Sequence, residues 1–241
     1  MLADTLRELN GKRLVDTDGE VTVIELAPPA TAEQLRQLES RLPSPLPDDV
    51  REALRVTTGF AEGPLESFSL LDLEGFGLDE VFPDAYSLAH DGFGNYWVLD
   101  LLPETREWGP VYYACHDPAV IAYQAPTVDA FVRDLVALPP DDPRSPIDQV
   151  HEGAVNRIWR EHPGVMSQPH ALGSDDSVLR EFAKALPPDA MISDLREARP
   201  GDGFAWGRYG PRTTITRCGT ERIWAVVAPP HRSLLSRLLG R

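Results

Sequence analysis

The chain has 241 residues, 42% of them hydrophobic, and a formal net charge of −15; that length and apolar content supply a core and exclude a disordered chain. No apolar run approaches the ~20 residues of a membrane-spanning helix, and the start M-L-A-D-T-L-R-E-L-N lacks a basic stretch followed by an apolar one, so a soluble, cytoplasmic protein is expected. Residues 1–139 carry nine Lys and Arg against 25 Asp and Glu, a net of −16, whereas residues 140–241 carry 14 against 13, so the front field disfavours direct nucleic-acid binding and either steers a basic protein partner or serves only solubility.

Residues 2–10 suit a short helix, and Arg13 to Leu26 reads as a hairpin around Asp16-Thr17-Asp18-Gly19. Thr31 caps a helix carrying Leu35, Leu38 and Leu42, with Glu33 and Gln34 in its first turn, and Pro43 ends it. Asp48 and Asp49 open a second helix that turns Val50, Ala53 and Leu54 inward, with Gly59 as its left-handed cap. From Phe68 to Asp117 the apolar residues fall into short β-rich runs split by Gly and Pro. Among these, Ala89 to Asp100, A-H-D-G-F-G-N-Y-W-V-L-D, reads as strand, glycine turn and strand, the glycines taking the positive φ that other residues resist. Val111 to Cys115 is a further strand, and Thr127 to Leu138 a helix with Val128, Phe131 and Leu135 on one face.

Leu138 to Pro146, L-P-P-D-D-P-R-S-P, cannot continue a helix and is the linker candidate. Beyond it, Val150, Ala154, Ile158 and Trp159 lie at helical spacing, and Ser174-Asp175-Asp176 caps a helix through Leu186. The period then changes: Thr213 to Arg217 and Ile223 to Ala228 read as an antiparallel hairpin about Gly219-Thr220. In the tail, Leu234, Leu235, Leu238 and Leu239 with Arg232 and Arg237 form an amphipathic pattern suited to docking on its own domain, with a partner or a membrane surface as the alternatives.

The hairpin A-H-D-G-F-G-N-Y-W-V-L-D resembles the core hairpin of the SUKH superfamily, the Smi and Knr group of fungal cell-wall regulators and bacterial toxin-immunity proteins. Ala27 to Pro43 and Leu46 to Phe60 are similar to the family's opening helix pair, Gly109 to Pro118 to its later strand, and Thr127 to Val136 to its closing helix. The resemblance covers about residues 20–138 and implies an α+β fold with a mainly antiparallel sheet flanked by helices. It divides the chain into a SUKH-like domain (1–138), a linker (139–146) and an α+β extension (147–241) with no assigned activity.

Several motifs invite catalysis. His90-Asp91 and His116-Asp117 have the residue types of a metal hydrolase, but both pairs fall at strand ends, without helical H-x-x-x-H spacing. Cys115 and His116, adjacent in a strand, point to opposite faces and cannot form a nucleophile–base pair. With Cys218 about a hundred residues away, Cys115 suggests a reduced core thiol. Gly201, Gly203 and Gly207 miss the dinucleotide-loop spacing by one residue. No metal or organic cofactor is expected.

Tyr96, Trp97, Trp108, Tyr112 and Tyr113 cluster around the hairpin, and alternation turns about half of them away from one core, either to a partner or against the rear segment. The resemblance and the charge together imply a non-enzymatic binding protein, an immunity protein occluding a basic, nuclease-type toxin. Its expected contact face is Asp91, Asn95, Tyr96, Asp100, Glu107 and Trp108. A regulatory scaffold with several weak partners and a metal-assisted hydrolase at His90, Asp91, His116 and Asp117 are the alternatives.

Overall fold

Two antiparallel sheets packed face to face, with helices on the outer side of each, organise the chain in a computed structural model that describes residues 1–15, 21–60, 67–71, 78–102, 107–137, 145–210 and 212–229. The front segment contributes α1 (Leu2–Leu9), the hairpin β1 (Arg13–Val15) and β2 (Val21–Val23), α2 (Ala32–Arg41) and α3 (Asp48–Leu54). The short strands β3 (Gly59–Phe60) and β4 (Phe68–Ser69) follow, then β5 (Ala85–His90), β6 (Tyr96–Leu102), β7 (Glu107–His116), β8 (Ala119–Ala125) and α4 (Val128–Leu135). In the rear segment α5 (Pro146–Asp148), a π-helical stretch Gln149–Ala154 and α6 (Val155–Arg160) run end to end. They precede β9 (Met166–Ser167), α7 (Gln168–Leu172), α8 (Ser177–Lys184), β10 (Met191–Asp194), β11 (Gly203–Phe204), β12 (Thr214–Arg217) and β13 (Ile223–Val227). This is the expected α+β class.

Among the described residues the large sheet has the order β11-β8-β7-β6-β5-β4-β3 and the small one β12-β13-β10-β9. Alternation explains why they stack. In β7, Val111, Tyr113 and Cys115 join a core with α1, α3, α4 and the 146–160 helix, while Tyr112 and Ala114 point the other way. There they meet Trp224 and Val226 of β13, whose alternate residues Ile223 and Ala225 face Ala171, Leu179 and Ala183 beneath α7 and α8. Burial of such side chains stabilises by roughly 1.5–3 kcal/mol each, so a strand pleated between two apolar layers is held on both faces.

Local signals account for the helix starts. The Thr31 hydroxyl accepts from the Gln34 amide at 3.2 Å while the Gln34 side chain accepts from the Thr31 amide at 2.8 Å, a capping box. Thr127 caps α4 by accepting from the Ala130 amide, and Asp176 caps α8 by accepting from the Leu179 amide. One expected cap is corrected: α3 ends at Leu54 with Arg55 as its cap, and Gly59 lies in β3. Its φ of 146° and the 2.0 Å at which a Cβ would meet the Phe68 carbonyl oxygen show that strand approach, not helix termination, requires glycine there. The 16–20 turn, most of the proline-rich linker (138–144) and the 231–241 tail lie outside the described residues.

Candidate functional site

The turn between β5 and β6 is built on one carboxylate. Asp91 Oδ1 accepts from the amides of Phe93 at 2.9 Å and Asn95 at 3.2 Å, and its Oδ2 accepts from Asn95 Nδ2 at 2.6 Å and the Tyr113 hydroxyl at 2.8 Å. Gly92 and Gly94, with φ of 74° and 86°, let the backbone wrap around that carboxylate. Asn95 Oδ1 in turn accepts from the His116 amide at 3.0 Å and lies 2.8 Å from His116 Nδ1, which ties the turn to the end of β7. The β5–β6 turn and the β7–β8 turn, with its cis Asp117-Pro118 peptide, therefore form one unit at the same end of the sheet.

Burial pushes the Asp91 carboxyl up, but the hydrogen bonds from Asn95, Phe93 and Tyr113 outweigh it and hold the group below the usual carboxylate range. Burial and the neighbouring Asp91 push the Tyr113 hydroxyl up, so it stays a donor. Replacing Asp91 with alanine strands the buried Tyr113 hydroxyl and frees the turn, at a cost of about 1–3 kcal/mol measurable by chemical denaturation. Because the folded pKa is depressed, Asp91's stabilising contribution is present above the ordinary Asp pKa and is lost as pH falls through the folded value. The Asp91→Ala penalty accordingly shrinks in acid.

The structure redistributes the expected contact face. Asp91 is half-buried as the turn's fastener, and Tyr96 is half-buried at the start of β6. Asn95, Asp100 and Trp108 are corrected: all three are buried and present little or no surface to a partner. Asn95 is spent on Asp91 and His116. Asp100 meets Arg217 of β12 through two bonds of 2.8 Å, an ion pair linking the two sheets. Trp108 packs in the front core and borders a cavity of about 380 Å³ with Pro47, Val50, Pro110 and Val128. Glu107 opens β7, its side chain outside the described residues. For Asp100 the physical reason is the second layer: the face of β6 and β7 turned from the front core is covered by Leu195, Phe204 and Trp224. Tyr112 is buried on that face, whereas Trp97 and Tyr113 are buried on the opposite one, in the front core.

The residue that sequence reasoning missed is Phe93, whose side chain is 83% exposed at the tip. The signal was available: in D-G-F-G-N every residue except the phenylalanine has a role in making the turn.

Asp91 receives four hydrogen bonds, and His90 Nδ1 accepts from the Gly92 amide at 3.2 Å. Cys115 is buried, which pushes its thiol up, and His116 beside it is exposed. Among the described residues, Asp148, His151 and Glu152 form a group whose ligand atoms lie within 4.8 Å of one another and could hold a metal ion. The His151 ring packs edge-on against Trp97 and Tyr113, with centroids 5.9 and 5.7 Å away. No helix among the described residues is long and apolar enough to cross a membrane.

Neither a curated protein nor a solved structure matches the chain. Residues 29–134 match the model of the SMI1 / KNR4 family (SUKH-1). That span runs from the approach to α2, through the hairpin pinned by Asp91, to the end of α4, and over it the chain is similar to the SUKH-1 family.

Proposed function

We propose that this chain is a non-enzymatic immunity protein that neutralises a basic, nuclease-type toxin by covering it. The family supports the coarser half of that reading, since SUKH proteins are in general non-catalytic immunity or regulatory modules that bind other proteins. The observation that carries the finer half is the charge pattern: residues 56–105 hold ten Asp and Glu and no Lys or Arg. Such a stretch leaves its acidic groups without cations nearby in sequence, and the field captures a basic protein before contact. Occlusion needs no chemistry from the module, only an interface that outlasts the toxin's search for substrate.

The test is a tagged pull-down from the cells that make the protein, at low and high salt, with mass spectrometry of what is retained. One basic protein in equimolar amount, whose enzymatic activity the purified chain then blocks, is the expected result. Its association rate falls about tenfold or more between roughly 20 and 500 mM salt while its dissociation rate changes little. An association rate indifferent to salt, or a captured enzyme that stays active, overturns the reading. Several weak, salt-labile partners instead mark a regulatory scaffold.

A further inference from the structure

We infer that Phe93 is the anchor of the interface, entering an apolar pocket whose rim is basic. The inference rests on the protein-binding reading above and says where contact is made. Phe93 is the most exposed large hydrophobic side chain among the described residues, at 83%, ahead of Met1 at 76% and Val15 at 53%. The fold gains nothing from an aromatic ring left in water, and the turn itself demands only Asp91, Gly92, Gly94 and Asn95. A polar residue at position 93 would serve the turn equally well.

The support beneath the ring is what an anchor requires. The Phe93 amide is held by Asp91 at 2.9 Å, the next two residues are fixed by a positive φ and by three further bonds, and the whole turn is moored to His116. Docking such a residue immobilises only two side-chain torsions, so little conformational entropy is lost. The charge around it selects the partner. Asp91 lies in the same turn and the exposed Asp117 in the neighbouring one, and residues 107–132 contain no Lys or Arg, like residues 56–105. A basic rim complements those groups, and an arginine of that rim can lie over the Phe93 ring face. The other exposed apolar side chains have no such support: Val15 faces Val21 across β1 and β2, and Leu172 ends α7.

The experiment places the photoreactive residue p-benzoylphenylalanine at Phe93, and separately at Val15 and Leu172, in the full chain expressed in its own cells. The expected result is an adduct from position 93 alone, with one protein, on a peptide that combines apolar residues with Lys or Arg. With that protein purified, Phe93→Ala weakens binding by about 30-fold or more through faster dissociation, and leaves the low-salt association rate within about threefold. Adducts from position 15 or 172 with position 93 silent overturn the anchor and leave the protein-binding reading standing. An acidic adduct peptide, or Phe93→Ala with unchanged affinity, likewise overturns the anchor alone. Silence at all three positions together with an empty pull-down overturns both.

Discussion

Replacing Arg217 with methionine lowers the stability of the protein by about 3–5 kcal/mol, because it leaves the buried Asp100 carboxyl without its partner between two sheets. Asp100 has no exposed surface and the Arg217 side chain is 6% exposed. The same guanidinium donates to the carbonyls of Glu221 at 3.0 Å and Thr220 at 3.3 Å and lies 5.1 Å from the centre of the Trp224 ring. Removing both charges together, in Asp100→Leu with Arg217→Met, recovers most of the loss, since desolvation of the pair offsets much of its attraction. The pH dependence has a definite sign. Burial pushes the Asp100 carboxyl up against the pull of Arg217, so its folded pKa lies above the ordinary value. Stability from a raised group is fully present below the unfolded pKa and is lost as pH rises through the folded one. Without Arg217 the folded pKa rises further, and the penalty of Arg217→Met is larger at pH 8 than at pH 5. Urea denaturation of both variants at the two pH values checks this; a penalty under about 1 kcal/mol, or one equal at both pH values, contradicts a buried, paired carboxylate.

Sequence signals found the elements whose pattern is local and missed those whose pattern depends on a distant layer. Thr31 and Asp176 are caps in both readings, because a cap is decided within four residues. The β8 strand, A-V-I-A-Y-Q-A, shows no alternation since six of its seven residues are buried, and β10 and β11 are too short for a period to register. The contact face was misjudged for the same reason. Tyr112 does turn away from the front core, as alternation requires, but a second core waits there. Asp100 carried a readable warning: an acid inside Y-W-V-L-D-L-L, a run too apolar for a solvent-facing strand, signals a buried partner rather than a surface contact. Its partner, 117 residues away, is legible only in part, from Ile215 and Arg217 sharing the inward phase of β12. The candidate site was legible in position but not in composition. The turn was read correctly, whereas Phe93 was passed over because aromatic residues in a sequence are read first as core.

The arrangement of the two sheets makes the rear segment's contribution measurable. Replacing Trp224 with alanine costs about 3–5 kcal/mol, the transfer of a large buried ring plus the cavity left behind. Trp224 is fully buried, stacks on Phe204 with centroids 5.5 Å apart, meets Phe82 at 5.8 Å and Tyr112 at 6.0 Å, and donates from its indole nitrogen to the Val81 carbonyl at 2.8 Å. Phe82 and Tyr112 belong to the front segment and Phe204 to the rear, so the loss falls on both. Hydrogen exchange separates the two ways this can unfold. If the rear segment is an integral layer on the large sheet, amides of β7 and β13 lose protection together in Trp224→Ala, and tryptophan fluorescence and far-UV circular dichroism report one coincident transition. If the extension folds by itself and merely rests on the front sheet, β13 is deprotected while β7 keeps its wild-type exchange. The first outcome is expected, because the face of β6 and β7 turned from the front core presents Val98, Tyr112 and Ala114 to Phe204, Trp224 and Val226, and an interface with that composition is a core.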